Sequence, residues 1–168
     1  MGFLDKLFEK GKPAPACDPL TIYAPTEGTV IPLAEFPDEL FSQEVLGPGC
    51  GILPVENKVF APFNGTVTQV TDTKHAIGVT SGDGVEVLIH VGVDTVEMAG
   101  KGFQSSVKTG QKINRGDLLI TFDRDAIKTA GHPDAIAVVV TNSDEFSGVT
   151  QTANGGVHMG DALLKAEK

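Results

Sequence analysis

Four histidines occur in this 168-residue chain, and two of them, His75 and His90, share the stretch from Thr71 to Asp94. That stretch reads as a β-hairpin. Ser81-Gly82-Asp83-Gly84 is a turn signal between two runs rich in Val, Ile and Thr. A Gly-Asp pair so bounded suits a two-residue loop, because Gly82 can take the positive φ of a primed turn. With Gly82 and Asp83 as the loop, His75 falls directly opposite His90. Cross-strand partners on one face have Cβ atoms roughly 4.5–5.5 Å apart, close enough for two imidazoles to share one small ligand.

The same register predicts the surroundings. Thr71, Thr73, His75 and Ile77 line up opposite Asp94, Gly92, His90 and Leu88, since side chains two apart share a face. Gly92 leaves room over the His90 ring, Thr73 supplies a hydroxyl and Asp94 a carboxylate at the edge. Val87, Ile89, Val91 and Val93 are expected on the opposite, dry face.

Three chemistries suit a facing pair. In phosphoryl carriage, one neutral imidazole is the nucleophile and its neighbour donates a hydrogen bond to the phosphoryl oxygens. Two rings so close cannot easily both be cationic, which keeps at least one neutral. In zinc hydrolysis, His75, His90 and Asp94 would supply the three protein ligands a catalytic zinc takes, but no H-x-H or H-E-x-x-H element is present and no general base is evident. A swinging-arm carrier would need a lysine at the hairpin tip, and the tip is Gly82-Asp83. The remaining histidines have bland settings: His132 precedes Pro133 in a loop and His158 sits in a Gly-rich stretch, so both are assigned to surface structure.

The elements that position the pair follow from the rest of the chain. Its length suits one domain with a real core. The 20 glycines and 10 prolines punctuate short apolar runs, as in a turn-rich β fold. Ala24-Pro25-Thr26-Glu27-Gly28-Thr29-Val30 recurs 37 residues later as Ala61-Pro62-Phe63-Asn64-Gly65-Thr66-Val67. Two copies of one strand–turn–strand unit are too few for a solenoid and point to a sandwich or barrel with internal pseudo-symmetry. Leu118–Asp123 and Ala135–Val140 are apolar runs of strand length, and 124–131 could form one or two helical turns. The fold class predicted is all-β, an antiparallel β-sandwich or flattened barrel with little helix.

Residues 1–18 read as a tail preceding a domain over 19–168. Phe3, Leu4, Leu7 and Phe8 fall on one face of a short helix, ended by Gly11, Pro13 and Pro15. An ordinary tolerant terminus and weak contact of residues 1–10 with an anionic lipid surface both fit. Lys6 spoils a myristoylation pattern. No apolar run reaches the roughly 18 residues of a membrane span, no signal peptide opens the chain, and Cys17 and Cys50 build no disulfide framework. A reduced, cytoplasmic setting is expected. The net charge of −9 argues against nucleic acid and favours a basic protein partner.

Gly84-Val85-Glu86-Val87-Leu88-Ile89-His90-Val91-Gly92-Val93-Asp94-Thr95-Val96 resembles the signature of the glucose-class enzyme IIA of the phosphoenolpyruvate-dependent sugar phosphotransferase system. Thr73-Lys74-His75-Ala76 is similar to the family's second-histidine segment, and the likeness extends over roughly residues 20 to 165. The resemblance implies that His90 is the phosphorylated residue, as a tele-phosphohistidine. His75 would steady the phosphoryl group and assist transfer, and Thr73 would hydrogen-bond within the pair. Asp38, Phe41 and Asp94 would belong to a docking surface. The phosphoryl donor would be the histidine-containing phosphocarrier protein and the acceptor a cysteine on the enzyme IIB domain of a sugar permease, with regulatory targets bound in the unphosphorylated state. No cofactor is implied, although a zinc could sit at His75 and His90 in an interface. Cys50 is read as a buried small hydrophobe and not a phosphocysteine.

Overall fold

The computed structural model describes residues 16–168. The expected tail helix, and any lipid contact by residues 1–10, lies outside the described residues. In chain order the strands are β1 Thr21–Tyr23, β2 Gly28–Pro32, β3 Gly49–Pro54, β4 Lys58–Phe60, β5 Gly65–Val70, β6 Ala76–Ser81 and β7 Glu86–Val91. They continue with β8 Phe103–Ser105, β9 Lys112–Ile113, β10 Leu118–Phe122, β11 Ile136–Val140, β12 Gly148–Gln151, β13 Gly155–Val157 and β14 Ala162–Glu167. Among the described residues two short helices, α1 Glu39–Ser42 and α2 Arg124–Thr129, and three 3-10 turns accompany the strands. Asp38 and Asp123 cap the helices by accepting from Leu40 N and Ala126 N, as short polar residues do at N-caps.

Among the described residues all strand pairings are antiparallel. An eight-stranded sheet runs β13-β2-β3-β11-β7-β6-β5-β9, and two three-stranded sheets run β1-β14-β12 and β4-β10-β8. The long sheet ends on two edges, so the architecture is a sandwich and not a closed barrel. Its inner face sends Val30, Ile52, Val67, Ile77, Val79, Val87, Ile89 and Val138 into the main core, against Ile22, Leu119, Phe122 and Leu164 of the smaller sheets. β11 lies at the middle of the long sheet and is buried at every position, which explains its unbroken apolar run. The outer face carries a second cluster of Leu33, Phe36, Phe41, Val93, Ala135, Ala137 and Val139.

The repeated heptapeptide is an axis of pseudo-symmetry. Tyr23 N donates to Pro62 O at 2.9 Å, and Phe60 N donates to Pro25 O at 2.7 Å. A shift of 37 positions exchanges the two bonds. The likeness extends to a second pair of turns. Ala24 N donates to Asp161 O at 2.7 Å and accepts at its carbonyl from Gly160 N at 3.0 Å, while Ala61 makes the same two bonds with Asp117 and Gly116, at 2.7 and 3.0 Å. Each copy thus docks its Ala-Pro turn on a Gly-Asp turn.

The β6–β7 hairpin departs from the expected register by one residue. Ala76, not His75, pairs with His90, and Ile77 pairs with Ile89. The loop holds three residues, Gly82 to Gly84, closed by Ser81 N donating to Val85 O at 2.9 Å, with the positive φ of 91° at Gly84. A one-residue slip exchanges the two faces of a strand. Ile77 accordingly lies in the main core and not on the histidine face. Val93, expected beside Val87, Ile89 and Val91, belongs instead to the outer cluster, because the chain turns at Gly92 with φ of 81°.

Candidate functional site

His90 stands on the outer face of β7, next to the centre of the sheet, where neighbouring strands hold it on both sides through Ala137 and Ala76. The small side chains of these two partners leave space for its ring. His75 lies one residue before β6. A turn delivers it: Lys74 takes φ of 61°, its N–H donates to Thr71 O at 2.9 Å, and Thr71 N donates to Ala76 O at 3.2 Å. Val91 N then donates to the His75 carbonyl at 2.7 Å. Freed from the strand's alternation, the His75 side chain reaches His90 in spite of the slipped register. The ring centroids are 4.8 Å apart with planes at 82°.

Each ring is held by one nitrogen. His90 Nδ1 lies 2.8 Å from the Gly92 carbonyl, which can only accept, so Nδ1 carries the proton and donates. In the neutral ring Nε2 then keeps its lone pair. His75 Nδ1 lies 2.5 Å from Thr73 Oγ1. If the hydroxyl donates there, the Nε2–H of His75 is left as a donor. One nucleophilic nitrogen and one donor on adjacent rings could bind and transfer a tetrahedral anion.

Electrostatics keep the pair neutral. Burial, reinforced by the neighbouring His75, lowers the His90 pKa from 6.5 to about 4, against weaker opposing effects of the Gly92 hydrogen bond, Asp38 and Asp94. Burial also lowers the His75 pKa. Asp38 and Asp94 therefore do act on His90, through space. Asp94 takes a left-handed φ of 57° just past the Gly92 turn, and Asp38 caps α1.

Phe41 is 2% exposed and its ring lies tilted at 54° against His90, 5.0 Å between centroids, with Phe36 behind it at 5.3 Å. It is thus a buried wall of the site. Exposed apolar residues near the site residues in the chain are Leu40, Val45 and Leu46, on α1 and the loop after it, and Val96, in the turn after Asp94. Phe103, its ring 6.5 Å from His75, was not singled out from sequence. Its distance along the chain hides it, and an aromatic after Gly102 is the only local signal. Gly92 was expected to vacate space over His90, and its actual contribution is a carbonyl aimed at Nδ1.

Among the described residues no group of three or more His, Cys, Asp and Glu side chains could hold a metal ion. Asp94 therefore does not join the two histidines in such a group. The Cys50 thiol is buried and its pKa is pushed up to about 12 by desolvation, so it supplies no thiolate at neutral pH. His158 is exposed and bonded to Glu27 at 2.6 Å. His132 is half-buried 3.8 Å from Glu97, less of a surface residue than expected.

Residues 20–146 match the family described as phosphoenolpyruvate-dependent sugar phosphotransferase system, EIIA 1. The chain belongs to this family. Its fold also matches a solved structure, the glucose permease IIA from Mycoplasma capricolum, with a TM-score of 0.74 and 36% sequence identity over 86% of this chain and 94% of that one. This EIIA chain is therefore a sugar phosphotransferase component of the glucose class. No helix among its described residues is long and apolar enough to cross a membrane.

Proposed function

We propose that the chain is a cytoplasmic phosphocarrier that accepts a phosphoryl group on Nε2 of His90 and passes it on. The observation that carries this reading is the Nδ1–H of His90 donating to the Gly92 carbonyl at 2.8 Å, which leaves Nε2 as the open nucleophile. The donor is the phosphohistidine of the histidine-containing phosphocarrier protein. Its N–P bond breaks as the Nε2–P bond forms, and the product is tele-phosphohistidine. In the second transfer a cysteine thiolate of a permease enzyme IIB domain attacks phosphorus and Nε2 leaves with its lone pair restored. His75, oriented by Thr73, donates to the phosphoryl oxygens throughout. Phosphoryl transfer asks for positioning and charge stabilisation, and these two rings supply both without a cofactor.

Partner docking falls to the exposed Leu40, Val45, Leu46 and Val96, with Asp38 and Asp94 meeting a basic partner face. Regulatory targets would use the same surface when His90 is bare. An interfacial zinc at His75 and His90 would need its remaining ligands from the partner, because the described residues offer no third one.

The test is labelling with phosphoenolpyruvate and the upstream phosphocarriers. One acid-labile phosphate should appear on wild type and none on His90→Ala. Full labelling of His90→Ala would end the assignment.

A further inference from the structure

Phosphoryl acceptance on Nε2 makes the His90 tautomer decisive, and the Gly92 carbonyl controls it. An extended strand would not aim that carbonyl back at a ring two residues upstream. The aim depends on the turn from Val91 to Thr95, where Gly92 and Asp94 take φ of 81° and 57°. Asp94 adopts the left-handed region without being glycine, which has a conformational cost, so something must hold the turn.

Two of its holds are backbone. Gly92 N donates to Ala135 O at 2.8 Å and Val93 N donates to Pro133 O at 3.0 Å. The third is a side chain. Thr95 is fully buried, and its Oγ1 donates to the Val91 carbonyl at 2.5 Å, tying the two ends of the turn together. Its methyl group covers Gly92 so closely that a Cβ built there would lie 2.4 Å from Thr95 Cγ2. A buried hydroxyl is retained only where it finds a partner, and this one is bonded to the residue directly after His90.

We infer that the Thr95 hydroxyl is a positioning group for the phosphoryl acceptor: by closing the Val91–Thr95 turn it holds the Gly92 carbonyl on Nδ1–H of His90 and so keeps Nε2 unprotonated. The Thr95 hydroxyl is bonded to the Val91 carbonyl and not to either ring. It acts through the backbone, and this inference rests on the His90 assignment made above.

The experiment compares wild type, Thr95→Val and Thr95→Ser by imidazole ¹⁵N spectroscopy at pH 7, alongside the rate of phosphoryl acceptance. Wild type and Thr95→Ser should show His90 as a single Nδ1–H tautomer. Thr95→Val keeps the shape and loses the donor. It should show a mixed tautomer and accept phosphate roughly tenfold more slowly, the scale of one lost positioning hydrogen bond. A folded Thr95→Val protein with the pure Nδ1–H tautomer overturns the inference. Should Thr95→Val fail to fold, Thr95→Ser still decides, because a folded serine variant with a mixed tautomer shows that the hydroxyl is not the determinant. If wild type carries no phosphate on His90, the functional assignment fails, while the spectra still report on Thr95.

Discussion

His90 and Gly92 are joined by a hydrogen bond that spans only two residues, Nδ1–H to carbonyl at 2.8 Å. The bond exists because the strand ends between them in a left-handed turn. Gly92→Ala should break it. The new Cβ would meet Thr95 Cγ2 at 2.4 Å and Pro133 O at 3.1 Å, at a φ of 81° that L side chains rarely adopt. We expect a loss of about 2 kcal/mol or more in stability and slower phosphoryl acceptance, measured by urea unfolding and by labelling. An alanine variant as stable as wild type would mean that the turn is soft.

The depressed His90 pKa predicts an acid limb. The native ring stays neutral down to about pH 4, whereas the unfolded chain protonates near 6.5. Between those values the unfolded state binds more protons, so stability falls as pH falls from about 6.5 to 4 and is unaffected by this group above 6.5. The full shift is worth about 3 kcal/mol. His90→Gln should flatten this limb in unfolding measured at pH 7 and at 4.5. An NMR titration of His90 in the folded protein should show no midpoint above 5, and a midpoint near 6.5 would contradict the burial argument.

Thr73 and His75 offer a separation of roles. Thr73→Val removes the oxygen that lies 2.5 Å from His75 Nδ1, so His75 loses its fixed donor while His90 keeps its own bond to Gly92. Labelling of Thr73→Val and of His75→Gln should persist, with onward transfer to the enzyme IIB domain slowed tenfold or more. Thr73→Ser should restore transfer. If Thr73→Val lost its label as fully as His90→Ala, the two histidines would not divide the work in this way.

The apolar runs of the chain announced β11 at the middle of the long sheet and β10 of a smaller one, and alternation announced which residues of β7 face the core. Turn geometry was less legible. The choice between a two- and a three-residue loop at Gly82-Asp83-Gly84 turns on which glycine is left-handed, and it proves to be Gly84. That choice moved Ile77 from the histidine face to the core. His75 and His90 still meet because Lys74 is left-handed too, and nothing about a lysine signals this. The contacts of Phe103 with His75, and of Pro133 and Ala135 with the Gly92 turn, join segments far apart in the chain, where local pattern carries no information.

The repeated heptapeptide makes a last prediction, because its glycine does the same thing in both copies. A Cβ on Gly28 would lie 2.1 Å from Leu53 O, and one on Gly65 would lie 2.0 Å from Thr80 O. Each carbonyl belongs to the backbone of the neighbouring strand and cannot swing aside as a side chain could. Gly28→Ala and Gly65→Ala should therefore each force two strands apart and cost about 2 kcal/mol or more, a size reserved for substitutions with a definite steric cause. Gly82 is the control, since nothing lies within 4 Å of a Cβ built there. Gly82→Ala should stay within about 0.5 kcal/mol of wild type. Denaturant unfolding of the three variants reads the difference directly, and a Gly65→Ala protein no less stable than Gly82→Ala would show that the close strand approach is not what the repeat preserves.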